Sequence, residues 1–444
     1  MAPLTTLVVL GLFLLVSCED CAWNKDKNYP TKNPPLILDA SFKLVLPVLE
    51  GEDRMVRLSA GSKVTLACPG SSLTKFKLEA VKATCIGAHL LAVEGKEFSL
   101  KKLRCRSPAK STIRRELGRC GAGDLGHLQA IGFDIPTLNK FYEVIRVCYD
   151  NEADTTLYSE HIIHGANILA KDVDLKRPPF KASSGFFNVS ANTCYTKANQ
   201  LKLMETLLGD SELAKTMIDS HKQFYLARGH MAPDADFVTE AEQDATYYYI
   251  NAVPQWQAFN NGNWKVGGRP STMATGRLVA GLQQWQLEGG WQAFNNGNWK
   301  FLEFATRRLA VESSSNLKVY SGGWGVLELA DINNNAVDIY LGLVQKKALL
   351  PAPAITWKVV YEESRQRAVA IVGVNNPHLK EPPTKLCPDL CDSLAWVDFD
   401  VNNLVQGFTY CCTVDDLRQA VPHVPDLGGV DLLTIDTTEG PGGC

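Results

Sequence analysis

The chain has 444 residues, of which 45% are hydrophobic and 21% charged, and its formal net charge is −3. Those proportions exclude a disordered or fibrous polymer. The charge balance excludes a globally basic polyanion binder but leaves room for a local basic cleft. The length exceeds one typical core, so two domains are expected.

In chain order, Leu4 to Val16 is an apolar run too short for the about 20 residues that a bilayer crossing needs. Small and acidic residues follow it, as in a signal peptide spanning residues 1–18 and cleaved after Cys18, which implies secretion. No later stretch is apolar enough to span a membrane, and no obligate protein partner is indicated. Twelve cysteines remain: Cys21, Cys68, Cys85, Cys105, Cys120, Cys148, Cys194, Cys387, Cys391, Cys411, Cys412 and Cys444. An even set in an oxidising compartment reads as disulfides. A zinc site at Cys387-x3-Cys391 and Cys411-Cys412 lacks a histidine at the usual spacing.

Residues 19–135 read as a small disulfide-rich β domain, with short strands between 36 and 105 separated by Gly, Pro and Ser. Lys101, Lys102, Arg104, Arg106, Lys110, Arg114, Arg115 and Arg119 then face the single acid Glu116. That run is a phosphate-docking patch, a solvated basic face or a processing site. A second domain covers 140–425. Phe141–Tyr149 and Ser159–His164 alternate as paired strands, which puts His161 and His164 on opposite faces and makes both structural. Asn188-Val189-Ser190 is a glycosylation sequon. A helix is expected over Glu205–Phe224, a buried strand over Tyr247–Ile250, and paired core strands over Ala354–Tyr361 and Ala368–Val374. Residues 426–444 form a Gly-rich tail.

The decapeptide Trp-Gln-Ala-Phe-Asn-Asn-Gly-Asn-Trp-Lys occurs at 256–265 and, unchanged, at 291–300. Structural repeats drift apart and recur three or more times. Two identical copies therefore read as a recent duplication or a gene-model error, with residues 266–300 as the insert.

Three blocks carry chemistry: Arg228-Gly229-His230-Met-Ala-Pro233, Asn251-x-x-Pro-Gln255, and Asn-x-Gly-x-Trp-x3-Glu. In that order they resemble the DNA/RNA non-specific endonucleases of the ββα-metal fold. Within that family, the chain is similar to the secreted arthropod double-strand nucleases over roughly residues 140–425. The resemblance implies an α+β nuclease domain built on a central antiparallel sheet, preceded by the cysteine-rich β domain. It also implies hydrolysis of DNA and RNA, double strands included, dependent on Mg²⁺ or another divalent cation such as Mn²⁺. Backbone contacts suffice for such cutting and carry no sequence information.

A neutral imidazole at His230 suits the general base, because it titrates near neutral pH. Arg228 is expected at a phosphate or the transition state. Arg177, in Lys-Arg-Pro-Pro-Phe, matches an upstream substrate-binding Arg, and Asn251 and Gln255 match polar positions that support substrate. The resemblance places an Asn on the metal at a helix start, with a catalytic Glu eight residues later. From Asn260 the eighth residue is Gly268; from Asn295 it is Glu303, within an amphipathic helix. Asn260 keeps the spacing from Asn251 and Gln255. Both stay open, with helix formation favouring Asn295. Ala227 replaces the Asp that commonly precedes Arg-Gly-His. A nucleic-acid-binding pseudoenzyme disrupted by the insert, and a phosphodiesterase for small nucleotides or lipids, are the competing readings.

Overall fold

The computed structural model describes residues 19–115, 117–173, 176–182, 185–260, 297–345 and 347–434. The leader, Glu116, Asn295, residues 266–296 of the insert and the end of the Gly-rich tail lie outside them.

Near the N-terminus, strands alternate buried and exposed residues, as in Ala80–Gly87. Their inward faces pack around Trp23, Leu66 and Leu100. Cys21–Cys85 and Cys68–Cys105 tie this β unit together. Its strands Leu36–Leu38 and Lys63–Ala67 pair with each other, and Leu36, Leu38 and Ala67 share a core cluster with Ile131, Phe133 and Ile145 of the next sheet.

That sheet has ten strands. Its main path runs Arg119–Cys120, Gly126–Ile135, Lys140–Asp150, Thr155–His164, Asn316–Trp324, Ile355–Glu362, Arg367–Val374 and Thr409–Cys412, antiparallel throughout. Thr112–Arg114 also pairs with Gly126–Ile135. The strand Gly126–Ile135, which the sequence groups with the cysteine-rich region, is thus hydrogen-bonded into the central sheet. Every residue of Ile355–Glu362 is buried, so both faces of the sheet are covered at this strand. Alternation divides it: Val360, Val369 and Ile371 face one core, Val359, Ala370 and Val372 the other. Cys120–Cys148, Cys387–Cys412 and Cys391–Cys411 are disulfides; Cys194 is buried and unpaired among the described residues, which do not include Cys444. Cys387, Cys391, Cys411 and Cys412 are therefore paired with one another rather than arranged for zinc.

The short strand Leu226–His230 pairs antiparallel with Ala252–Trp256. Helix Asn298–Glu312 buries Trp299, Leu302, Ala305, Leu309 and Ala310 against the first core, completing a β-β-α unit. The expected core pair forms as Ile355–Glu362 with Arg367–Val374, and Lys140–Asp150 pairs with Thr155–His164, the strand that carries both His161 and His164. The expected helix over 205–224 is interrupted. Lys197–Leu208 ends at Gly209, which takes φ 72°, and Asp210 caps a new helix, Ser211–Met217; glycine adopts that conformation without steric cost. Tyr247–Ile250 is buried but turns at Tyr249–Asn251. Among the described residues no helix is long and apolar enough to cross a membrane.

Candidate active site

The strand pair sets the first half of the site. His230 lies opposite Ala252, and Arg228 opposite Pro254. Gly229 is required here: a Cβ would stand 2.6 Å from the Gln255 side chain. Asn251 is fully buried and clamps the loop after His230, accepting from Ala232 N at 3.0 Å and donating to Ala232 O at 2.8 Å and Thr246 O at 3.0 Å. Asn251 and Gln255 sit under the site and are not part of its wall.

Arg177, Phe180, Ala227, Arg228, His230, Asp234, Tyr247, Asn260, Lys300 and Glu303 converge on one open cleft of about 270 Å³. His230 packs against Phe180 and Tyr247, with ring centroids 4.8 and 5.0 Å away. Its Nε2 is buried and, among the described residues, has no hydrogen-bond partner. Burial holds its pKa below the ordinary value; Asp234 and Glu303 oppose that shift, Arg177 and Lys300 add to it. The resident form at neutral pH is the neutral imidazole, with a nitrogen free to take a proton.

Asp234 accepts from Tyr247 OH at 3.0 Å and meets Arg177 Nε at 3.4 Å. Burial alone would raise its pKa, but His230, Arg177 and Lys300 hold it below the usual range. Arg228 lacks a carboxylate at position 227. Its Nε instead donates to Tyr249 OH at 2.9 Å, and its guanidinium lies 5.1 to 5.6 Å from the ring centroids of Tyr195, Tyr249 and Phe180. Aromatic faces orient a planar cation well, which offsets the missing acid.

Glu303 is buried at the cleft, with Lys300 Nζ 3.2 Å from its carboxylate. Asn260 ends the short helix Gln257–Asn260 and lines the same cleft. The described residues of the repeat are 256–260 of the first copy and 297–300 of the second. Trp256 and Phe259 of the first copy and Asn298 and Trp299 of the second are all core residues. Asn298 Nδ2 donates to Asp400 O at 2.7 Å and Gly407 O at 2.8 Å. Gly297 comes so close to Phe259 that a Cβ would lie 2.0 Å from its carbonyl oxygen. Asn260 and the Glu303 helix thus meet where the two pieces join, while Asn295 falls outside the described residues.

An amide oxygen and a carboxylate beside a roomy, polar cleft fit a hard divalent ion that keeps much of its water, since each water occupies about 30 Å³. Asp234, Lys300, Tyr247 and Phe180 carried no motif signal; only the proximity of Asp234 to Arg-Gly-His, and of Lys300 to Glu303, hinted at them. Asn188 is exposed, donating to Asp154 Oδ1 at 2.8 Å in a separate cleft with Arg115 and Phe186. The eight basic residues of 101–119 are all exposed.

A family model described as DNA/RNA non-specific endonuclease matches residues 126–266 and 290–417. The chain is 26% identical over 406 residues to a salivary endonuclease of Lutzomyia longipalpis, covering 90% of this chain and 83% of that protein. It is 24% identical over 430 residues to salivary protein Tsal1 of Glossina morsitans morsitans, covering 95% and 94%. A salivary endonuclease of Culex quinquefasciatus is 24% identical over 397 residues, covering 87% and 90%.

Proposed function

The chain belongs to the DNA/RNA non-specific endonuclease family and is a nuclease, and from that premise we propose that it is secreted and hydrolyses DNA and RNA phosphodiesters, double strands included, with Mg²⁺ and His230 as general base. The observation that carries this reading is the convergence of His230, Asn260, Glu303, Arg228 and Arg177 on one cleft.

In this mechanism the substrate backbone enters the cleft and a phosphate is held by Arg228 and Arg177. The His230 imidazole accepts the proton of a water directed at phosphorus, and burial keeps the ring neutral for that task. Asp234 faces the imidazolium that results and offsets its charge. Asn260 would hold the cation directly and Glu303 through its waters; when bound, the ion supplies Lewis acidity at the phosphate and leaving oxygen. Asn251 and Gln255 keep the His230 strand and loop in place rather than touching substrate.

Mg²⁺-dependent cleavage of plasmid DNA and duplex RNA, compared among the unsubstituted chain, His230→Ala, Asn260→Ala and Asn295→Ala, tests the assignment. Loss in the first two variants with retention in Asn295→Ala is expected. Nucleic-acid binding without cleavage by the unsubstituted chain would favour the pseudoenzyme. Release from small diesters without polymer cleavage would favour the phosphodiesterase.

A further inference from the structure

Beneath the cleft lies a buried charged cluster that the mechanism above does not use. Asp236 follows His230 by six residues, in the turn Asp234–Asp236, and is fully buried. Its Oδ1 accepts from Arg307 Nη1 at 2.7 Å and its Oδ2 from His161 Nε2 at 2.8 Å. Arg307 is only 4% exposed and stands four residues after Glu303, one turn along the same helix face. Lys358, also buried, donates to Ser321 Oγ at 2.8 Å from the neighbouring central strands. None of Asp236, His161, Arg307 and Lys358 lines the cleft. Arg307, with its guanidinium committed to Asp236, is not placed to grip a phosphate.

One carboxylate thus joins three elements: the loop leaving His230, the helix carrying Glu303, and the central strand Thr155–His164. Burying such a set costs desolvation that its mutual attraction only partly repays, and apolar side chains of similar volume often serve stability as well. What the ion pair adds is direction. A helix held by packing alone can rotate slightly about its axis, whereas a short guanidinium–carboxylate contact at Arg307 limits that rotation for Glu303 one turn away.

We infer that Asp236 is a positioning residue: through Arg307 it fixes the helix rotation that sets the Glu303 carboxylate against His230. This rests on the site reading given above. The test measures Mn²⁺ binding by the loss of free-ion electron paramagnetic resonance signal, kcat and KM on duplex DNA, and the urea midpoint. These are read in the unsubstituted chain, Asp236→Asn, and the double variant Asp236→Leu/Arg307→Met. Asp236→Asn is expected to weaken Mn²⁺ binding and lower kcat by about 10–100-fold, as loss of an outer-shell orienter does. KM should stay within about twofold, because substrate-binding groups are untouched. The double variant is expected to recover the urea midpoint but neither Mn²⁺ affinity nor kcat. Recovery of all three together would overturn the inference, showing that the pair only holds the fold. If the double variant does not fold, Arg307→Lys decides in its place: it retains the charge but not the fork, so unchanged Mn²⁺ affinity and kcat would equally overturn it. Cleavage and Mn²⁺ binding by the unsubstituted chain report on the site reading separately, so the two failures are distinguishable.

Discussion

Deleting residues 261–295 would join Asn260 to Asn296 and leave a single uninterrupted Trp-Gln-Ala-Phe-Asn-Asn-Gly-Asn-Trp-Lys. The eighth residue after Asn260 then becomes Glu303. The 36 residues between Asn260 and Gly297 reduce to one, and Gly297 already touches the Phe259 backbone, so the joint need not move. For a flexible connection, closing 36 residues rather than one costs at most (3/2)RT ln 36, about 3 kcal/mol. The deleted protein should therefore be as stable as the full chain or more so, by up to about 3 kcal/mol, and should retain Mg²⁺-dependent cleavage. Urea unfolding and plasmid cleavage, each with and without EDTA, read the two consequences. Loss of activity in a folded deletion protein would refute the argument, since it would mean that Asn295 or its flanks, not Asn260, complete the site.

His230→Ala should lower cleavage by about 10²–10⁴-fold in a protein that still unfolds cooperatively in urea. Because burial depresses the His230 pKa, the acid limb of kcat/KM should lie below the ordinary histidine value of about 6.5. Asp234→Asn removes a charge that raises that pKa, so the limb should move lower still; a shift upward would contradict the assignment. Gly297→Ala places a methyl 2.0 Å from the Phe259 carbonyl oxygen and should cost about 1–3 kcal/mol or more in urea unfolding, as overpacking does. Replacing Arg104, Arg106 and Lys110 by Ala tests the exposed basic run. If it meets phosphates, the slope of log affinity against log salt for duplex DNA should fall by about 0.9 per lost contact, with cleavage of a short substrate unchanged.

Features set by local pattern were legible in the sequence. The alternation of Phe141–Tyr149 and the unbroken apolar run Ala368–Val374 pointed to central strands, and the blocks around His230 and Asn251 to the site. Features set by distant partners were not. Tyr247–Ile250 is as apolar as a strand, yet each of its three hydroxyls bonds elsewhere, to Asp234, Ser111 O and Asn192, and the backbone turns to allow it. The Asn260 ambiguity came from counting along a chain whose copies are spliced in space. Asp236, His161 and Arg307 are far apart in sequence, and nothing local distinguishes a buried ion pair from a solvated one.

The shared core between Leu36, Leu38, Ala67 and Ile131, Phe133, Ile145 bears on how this protein can be handled. Lys25 and Arg54 also reach across to Asp172, at 2.6 and 3.0 Å. A protease that cuts within the exposed basic run would therefore nick the molecule without freeing an intact catalytic fragment. Recombinant production starting at the family match would uncover an apolar flank and invite aggregation. The cysteine-rich segment is packed into the same core as the central sheet, and the two parts have to be expressed, oxidised and purified as one body.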